Sequence, residues 1–219
     1  MAYNQKDYFF HKAKKENFVA RSVFKLQEID DRFHILKPGY KILDLGAAPG
    51  SWSQYAAQKV GLQGRVLGID IQPIKLTLQN CVFVTADMRG LDVGKVMADH
   101  GISPPFDVVL SDMAPKTTGI RVTDQTRSLE LCDLALETAE RFLRPRGSFV
   151  CKLFHSEEFE AFRDKLRSKF QRVEVLRPKS TRKESKEIFF IATHWKGPAK
   201  PATPAAPAGG TPPGSAPKA

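Results

Sequence analysis

Paired cysteines are missing from this 219-residue chain. Its three cysteines, Cys81, Cys132 and Cys151, stand apart with no CxxC spacing. That argues against a disulfide scaffold or a zinc module and fits a reducing compartment such as the cytoplasm. Long apolar runs are missing as well, so no stretch of about 18 residues offers a membrane span. The opening MAYNQKDYFFHKAKK lacks an apolar h-region, and no secretory signal is expected. The five histidines, His11, His34, His100, His155 and His194, are scattered, and no metal cluster is expected from them. Acidic residues are in deficit. Against 34 Lys and Arg there are 24 Asp and Glu, a net charge of +10 with a pI near 9.6, which favours a polyanionic partner. Hydrophobic residues make up 42% and charged residues 26%, as in ordinary soluble proteins, and the length suits one α/β domain or two very small ones.

The last 24 residues differ in kind. Lys196 to Ala219 hold seven of the 15 prolines, four of the 15 glycines, three lysines, and no acid or aromatic. Such a stretch buries too little apolar surface to offset its ordering entropy and reads as a disordered, partly polyproline-like tail. The sequence therefore divides into a basic, aromatic arm at 1–17, a folded domain at 18–195, and a tail at 196–219.

Within the folded part, strand and helix signals alternate. Phe18, Val19, Val23, Leu26, Ile29 and Phe33 recur at helical spacing, which predicts one amphipathic helix before the sheet. Short β-rich runs follow at Lys41–Leu45, Arg65–Ile71, Cys81–Ala86, Phe106–Asp112 and Ser148–Phe154. They lack strict alternation, as expected of parallel strands buried on both faces. Helix-length segments lie at Ser51–Val60, Leu91–His100, Asp124–Leu143 and Glu157–Phe170, and two last runs, Arg172–Leu176 and Glu187–His194, have no helix between them. The pattern predicts five β-α units in a doubly wound α/β sheet with a late antiparallel strand.

Ligands of such sheets sit at the carboxyl ends of the strands. The first strand ends Asp44-Leu45-Gly46-Ala47-Ala48-Pro49-Gly50, where the glycines allow a tight turn and close approach of backbone to a ligand. The dinucleotide fingerprint G-x-G-x-x-G is absent, which disfavours a nicotinamide dehydrogenase. Asp44 before the turn repels a phosphate and suits a cationic ligand better. Asp70 ends the second strand, where a carboxylate grips ribose hydroxyls. Asp87 follows the third strand, placed to accept from an exocyclic amine, and Asp112 follows the fourth. Together they describe a site for an adenosine that carries positive charge.

On these residues the chain resembles a known family. DLGAAPGSW, GID, TADM and SDMAP are similar to the S-adenosylmethionine site of class I (Rossmann-like) methyltransferases, and more specifically to the FtsJ family of RNA ribose 2′-O-methyltransferases. The resemblance covers about residues 18–194. It implies a mostly parallel seven-stranded sheet with one antiparallel strand. It implies cofactor binding through Asp44, Gly46, Gly50, Trp52, Asp70, Asp87, Met88 and Asp112, with Gly50 and Trp52 on the methionine side, Asp70 at the ribose, Asp87 at the adenine edge and Asp112 by the transferable methyl.

The resemblance also implies a catalytic Lys-Asp-Lys-Glu tetrad at Lys25, Asp112, Lys152 and Glu187. Lys152 sits inside the apolar run Val150-Cys151-Lys152-Leu153-Phe154, where an unpaired lysine is costly. It is given the principal role, accepting or steering the proton of the 2′-hydroxyl. Lys25 would favour the neutral form of Lys152 and help position the hydroxyl, Asp112 would orient Lys152, and Glu187 would complete the network. The loop Asp112-Met113-Ala114-Pro115 has no aromatic to stack a flipped base, which favours ribose over a base amine as acceptor.

Two basic regions flank this site. Residues 163–186 carry ten Lys and Arg against three acids. The arm offers Lys6, Lys12, Lys14 and Lys15, with Arg21 and Lys25 beyond it, interleaved with Tyr3, Tyr8, Phe9, Phe10, Phe18 and Phe24. Cations neutralise phosphates and exposed aromatics stack unpaired bases. The loop Lys116–Gln125 reads as mobile and able to close over substrate. The compact length most resembles the bacterial member that methylates a uridine ribose in the A-loop of 23S ribosomal RNA, within the assembling large subunit. The alternatives are a transfer-RNA anticodon-loop 2′-O-methyltransferase, a messenger-RNA cap methyltransferase, or a noncatalytic RNA-binding assembly factor. A monomer without membrane or protein partner is expected.

Overall fold

The computed structural model describes residues 5–182 and 184–198; the greater part of the expected tail, together with Tyr3 and Lys183, lies outside the described residues. Seven strands form one sheet: β1 (Lys41–Leu45), β2 (Arg65–Asp70), β3 (Cys81–Thr85), β4 (Phe106–Ser111), β5 (Leu143–Phe154), β6 (Phe170–Leu176) and β7 (Glu187–Trp195). Their order is β3-β2-β1-β4-β5-β7-β6. The first five strands run parallel, and β7 runs antiparallel to both β5 and β6. The expected doubly wound sheet with one antiparallel strand is the one observed. Six helices complete the fold: α1 (Gln5–Lys15), α2 (Val23–Phe33), α3 (Ser51–Val60), α4 (Val93–Asp99), α5 (Arg121–Phe142) and α6 (Phe159–Lys169). No helix among the described residues is long and apolar enough to cross a membrane.

Alternate residues of the central strands feed two cores. Ile42, Val108, Leu110, Val150, Phe189 and Ile191 pack beneath α2 and α3. Leu43, Leu45, Val109, Phe149, Cys151 and Phe190 pack against α5 and α6 on the other face. Two buried faces explain why the strands read as continuous apolar runs rather than as alternation. Each fully buried Leu, Ile or Phe contributes about 1.5–3 kcal/mol by area.

Several boundaries differ from expectation, each for a physical reason. The helix read from Phe18 onward begins only at Val23, because Gln54 on α3 accepts from Val19 N–H at 3.1 Å and donates to the Asn17 carbonyl at 2.8 Å, holding 17–19 in a turn. No helix joins β2 to β3; residues 71–80 cross without one and end at Asn80, whose amide donates to the carbonyls of Ala57 and Gly61. The fifth β-α unit is therefore absent. Strand β3 is only half-buried, since it is the sheet edge and has a neighbour on one side alone. Helix α5 starts three residues before Asp124, and β5 starts at Leu143 rather than Ser148.

Candidate active site

The strand order reverses between β1 and β4, and a crevice opens at such a switch point beyond the carboxyl ends. Here the turn after β1 meets the segment after β4. Gly46 adopts φ +77°, and a Cβ on it would lie 2.8 Å from both the backbone nitrogen and Cγ of Met113. A side chain at 46 would thus push the two segments apart. Asp112 N–H donates to the Leu45 carbonyl at 3.2 Å, joining them. Gly50, at φ +108°, turns the chain into α3, where an added Cβ would press on Ile74 and Leu76 at 3.2 Å.

Three carboxylates stand at this end of the sheet, on β1, at the end of β2 and beyond β3. Asp44 is fully buried; one oxygen accepts from Ser53 Oγ at 2.6 Å, and the other, Oδ1, has no hydrogen-bond partner. Burial pushes its pKa up to about 7, with the charges of Asp112 and Asp70 adding to the rise against the lowering bond from Ser53. Asp70 braces the turn, accepting from Ala48 N–H at 2.9 Å and from Gln72 N–H at 2.8 Å. Asp87 is exposed beyond β3 and accepts from Arg89 N–H. A site with mutually repelling carboxylates and one orphaned buried oxygen is chemically suited to a cation with hydroxyls and an amine. S-adenosylmethionine has those groups, and the residues fit it.

Two of the expected cofactor residues offer less side chain than their motifs imply. Trp52 is 3% exposed; its indole N–H donates to the Ser22 carbonyl at 2.9 Å and its ring lies 5.7 Å from that of Phe189. It ties α3 to α2 and β7, and the first turn of α3 leaves it a backbone N–H for a ligand. Met88 is buried in the α5-side core, which leaves its thioether no free face for a ligand.

The four tetrad residues come together as two ion pairs. Lys152, 7% exposed on β5, donates from Nζ to Asp112 Oδ1 at 2.8 Å and to the Asp112 carbonyl at 2.6 Å. Lys25 on α2 lies 2.5 Å from Glu187 Oε1 at the start of β7. Phe189 is the hinge between them: it is the cross-strand partner of Lys152, and Lys25 Nζ sits 5.6 Å above its ring. Glu187 stands opposite Phe154, two residues from Lys152, so it projects on the same face. From α5 on the far face, Cys132 Sγ–H donates to the Lys152 carbonyl at 2.9 Å and Ser128 Oγ accepts from Phe154 N–H at 3.0 Å. Neither anchor was legible in the sequence, because each depends on contacts 20 or more residues away.

The flanking basic regions are reorganised by pairing. On α6, Arg163 pairs with Glu160, Lys165 with Asp133 (2.7 Å), Arg167 with Asp164 (3.3 Å) and Lys169 with Glu140 (2.7 Å). The segment after β6 is instead pinned over α2. Arg21 donates to the Ser180 carbonyl at 2.8 Å, and Lys179 N–H donates to Glu28 at 2.7 Å. That brings Arg182 and Glu187 into electrostatic reach of Arg21, beside the tetrad. Phe9 of the arm packs with Phe24, which also meets Phe18, as part of the core beneath α2; Tyr8 and Phe10 remain exposed. The loop at 116–125 is not free at its distal end, because α5 already includes Arg121 onward and Asp124 accepts from Thr118 N–H (2.7 Å), Thr118 Oγ1 (2.9 Å) and Gly119 N–H (3.2 Å). The Thr118 backbone bond holds the Asp124 carboxyl below the usual range. Buried Asp30, which accepts from Leu36 N–H, Tyr55 O–H and Lys59, was also missed; it is a structural anchor of α2.

Comparison with known proteins places the chain in a family. The FtsJ-like methyltransferase family model matches residues 18–195. A protein of Bdellovibrio bacteriovorus named ribosomal RNA large subunit methyltransferase E is 59% identical over 191 residues, covering 87% of this chain and 97% of its own. A protein of the same name from Syntrophobacter fumaroxidans is 48% identical over 193 residues, covering 87% and 96%. A solved structure from Plasmodium falciparum superposes with a TM-score of 0.73 at 24% identity, over 83% of this chain and all of that one; it bears on the fold alone.

Proposed function

The chain belongs to the FtsJ-like methyltransferase family, and on that premise we propose that it uses S-adenosylmethionine to methylate a uridine ribose 2′-hydroxyl in the A-loop of 23S ribosomal RNA, within the large subunit. One observation carries the reading: the pairs Lys152–Asp112 and Lys25–Glu187 converge on Phe189 beside the carboxylate-lined switch point. The names of the two relatives support the ribosomal substrate. Asp44, Asp70, Asp87 and Asp112, with the backbone of Gly46, Gly50, Trp52 and Met88, hold the cofactor. When bound, the cofactor supplies an electrophilic methyl on a sulfonium sulfur.

The protein's own part is to hold a ribose oxygen in line and to take its proton. Positioning of this kind is worth up to about 7–11 kcal/mol, and proton removal about 10²–10⁴-fold. Asp112 accepts two hydrogen bonds from Lys152 Nζ, which fixes the nitrogen's direction and leaves one position for the 2′-oxygen. Lys152 accepts or steers the hydroxyl proton. Lys25, oriented by Glu187 and Phe189, donates to the same ribose. Residues 18–195 form the catalytic unit, and exposed Tyr8 and Phe10 of the arm contact unpaired bases.

The test uses tritiated S-adenosylmethionine with large subunits, free ribosomal RNA and transfer RNA from cells lacking the gene. Label in the subunits or their RNA, recovered as an alkali-resistant dinucleotide, is the expected result. Label in transfer RNA alone, or label lost on alkaline hydrolysis, contradicts the reading.

A further inference from the structure

At the opposite pole of the sheet, where β4, β5 and β6 begin and β7 ends, lies a cleft of about 400 Å³. Five cations line it: Arg32, Lys37, Arg144, Arg146 and Arg172. Two carboxylates, Asp107 and Glu174, oppose them, and one is already engaged. Asp107 accepts from Lys41 N–H at 2.7 Å, and its other oxygen lies 2.6 Å from Arg144 Nε, close but not aligned as a hydrogen bond. Among the described residues, Arg32, Lys37, Arg146 and Arg172 form no ion pair, unlike the four paired cations of α6.

Two further features mark the cleft as built. The guanidinium of Arg32 lies 5.2 Å over the Phe33 ring and that of Arg144 5.1 Å over Tyr40. Stacking holds a guanidinium in place while its edge N–H groups stay available for a second partner. Second, four non-glycine residues among those described have positive φ, and three of them line this cleft: His34 (+51°), Arg146 (+65°) and His194 (+60°). Conformations that L-residues rarely adopt gather where a ligand is held.

We propose that this cleft binds phosphates of the RNA backbone at a second point, remote from the nucleotide being methylated. Guanidinium groups pair with phosphate oxygens two at a time. The cleft draws cations from α2, the turn before β1, β5 and β6, a spread that suits several phosphates along a strand. Asp107 near the start of β4 and Asp112 just past its end are five residues apart, so the cleft lies roughly 15–20 Å from the tetrad at about 3.3 Å per residue. A strand gripped at both poles is oriented before its hydroxyl reaches Lys152. This inference rests on the reading of RNA as substrate.

The test compares the full chain with the variant Arg146→Asn/Arg172→Gln, asparagine being tolerant of the left-handed conformation at 146. Methylation of large subunits is followed between 50 and 200 mM KCl, with cofactor affinity measured by calorimetry. The variant is expected to raise KM about tenfold at low salt. It should also flatten the dependence of log(kcat/KM) on log[salt] by about 1.4, at roughly 0.7 per lost single-strand phosphate contact, with kcat and cofactor affinity unchanged. Arg32→Gln/Lys37→Gln, on other elements, repeats the measurement should the first variant fold poorly. Wild-type KM and salt slope in a folded variant overturn the proposal. Binding of inorganic pyrophosphate lost in the variant while KM for subunits stays at wild type assigns the cleft to free phosphate and overturns the RNA assignment. If wild-type protein labels no ribosomal RNA, it is the proposed function that fails; if it does and the variant matches it, only this site fails.

Discussion

The two ends of the sheet carry opposite chemistry. At the carboxyl ends of β1, β2 and β4, carboxylates gather and every lysine of the tetrad is paired. At the other end, four of the five lining cations form no ion pair among the described residues, and Arg32 and Arg144 stand over aromatic rings. The same strands build both, so the difference is not one of fold. It follows from where the chain turns: the carboxyl ends receive the tight glycine turn and the first turn of α3, while the amino ends receive the C-terminus of α2 and the irregular start of β5. On the proposed reading, one end binds a compact cation and moves a proton, and the other holds anions without chemistry.

Removing a tetrad member should separate the poles most sharply. Lys25→Ala is expected to lower the rate of methyl transfer roughly 10²-fold, at the low end of acid–base effects, with KM for subunits nearly unchanged. Because Lys25 and Glu187 act as a pair, the double variant with Glu187→Ala should fall little further than either single one. Single-turnover assays of the three variants check this. Multiplying losses would show that the two residues work independently.

A smaller effect is expected at the cofactor carboxylates. With a pKa near 7, Asp44 is protonated in the free protein below neutrality, and a bound cation favours its ionised form. Cofactor affinity should therefore rise about tenfold from pH 6 to pH 8, with release of a proton on binding. The same shift has the opposite sign for the unliganded fold, whose stability falls as pH rises from about 3.9 toward 7, since there the unfolded chain has already lost the proton. Asp44→Asn should remove both slopes. Calorimetry in buffers of different ionisation enthalpy measures the first, and thermal unfolding against pH the second. An affinity independent of pH in wild type would remove Asp44 from the cofactor site.

The smallest effect belongs to Asp124. Its carboxyl is held below the usual range by the Thr118 backbone bond. It therefore stabilises the 116–120 loop fully above the unfolded value of about 3.9, and that contribution disappears as pH falls through the folded value. Asp124→Asn should lower the unfolding temperature slightly at pH 7 and not at all in strong acid. A constant difference across pH would mean that the carboxylate charge does not hold the loop.

Much of the catalytic pole could be read from the sequence, and little of the other. β1 and α3 match their predicted spans residue for residue, because strand runs and the glycine turn are local signals. Asp44, Asp70 and Asp112 were placed by the rule that ligands meet strand ends, and the tetrad by family resemblance. What the chain hid was long-range: Arg21 on Ser180, Glu28 on Lys179, and Gln54 holding the turn before α2. Periodicity carries no trace of bonds made across 35 or 159 residues. The amino-end cleft draws its cations from four separated segments, so no window of sequence contains it. Basic residues at 163–169 looked free in the sequence and proved paired, whereas Arg172 a few positions on proved unpaired.

The most direct test of the account concerns Lys152. Methyl transfer to large subunits and calorimetric cofactor affinity are measured side by side for wild type and Lys152→Ala. The account predicts transfer reduced by about 10³-fold or more, with cofactor affinity within a few-fold of wild type. Transfer at the wild-type rate would contradict it, and the site of proton removal would have to be sought elsewhere than at the Lys152–Asp112 pair.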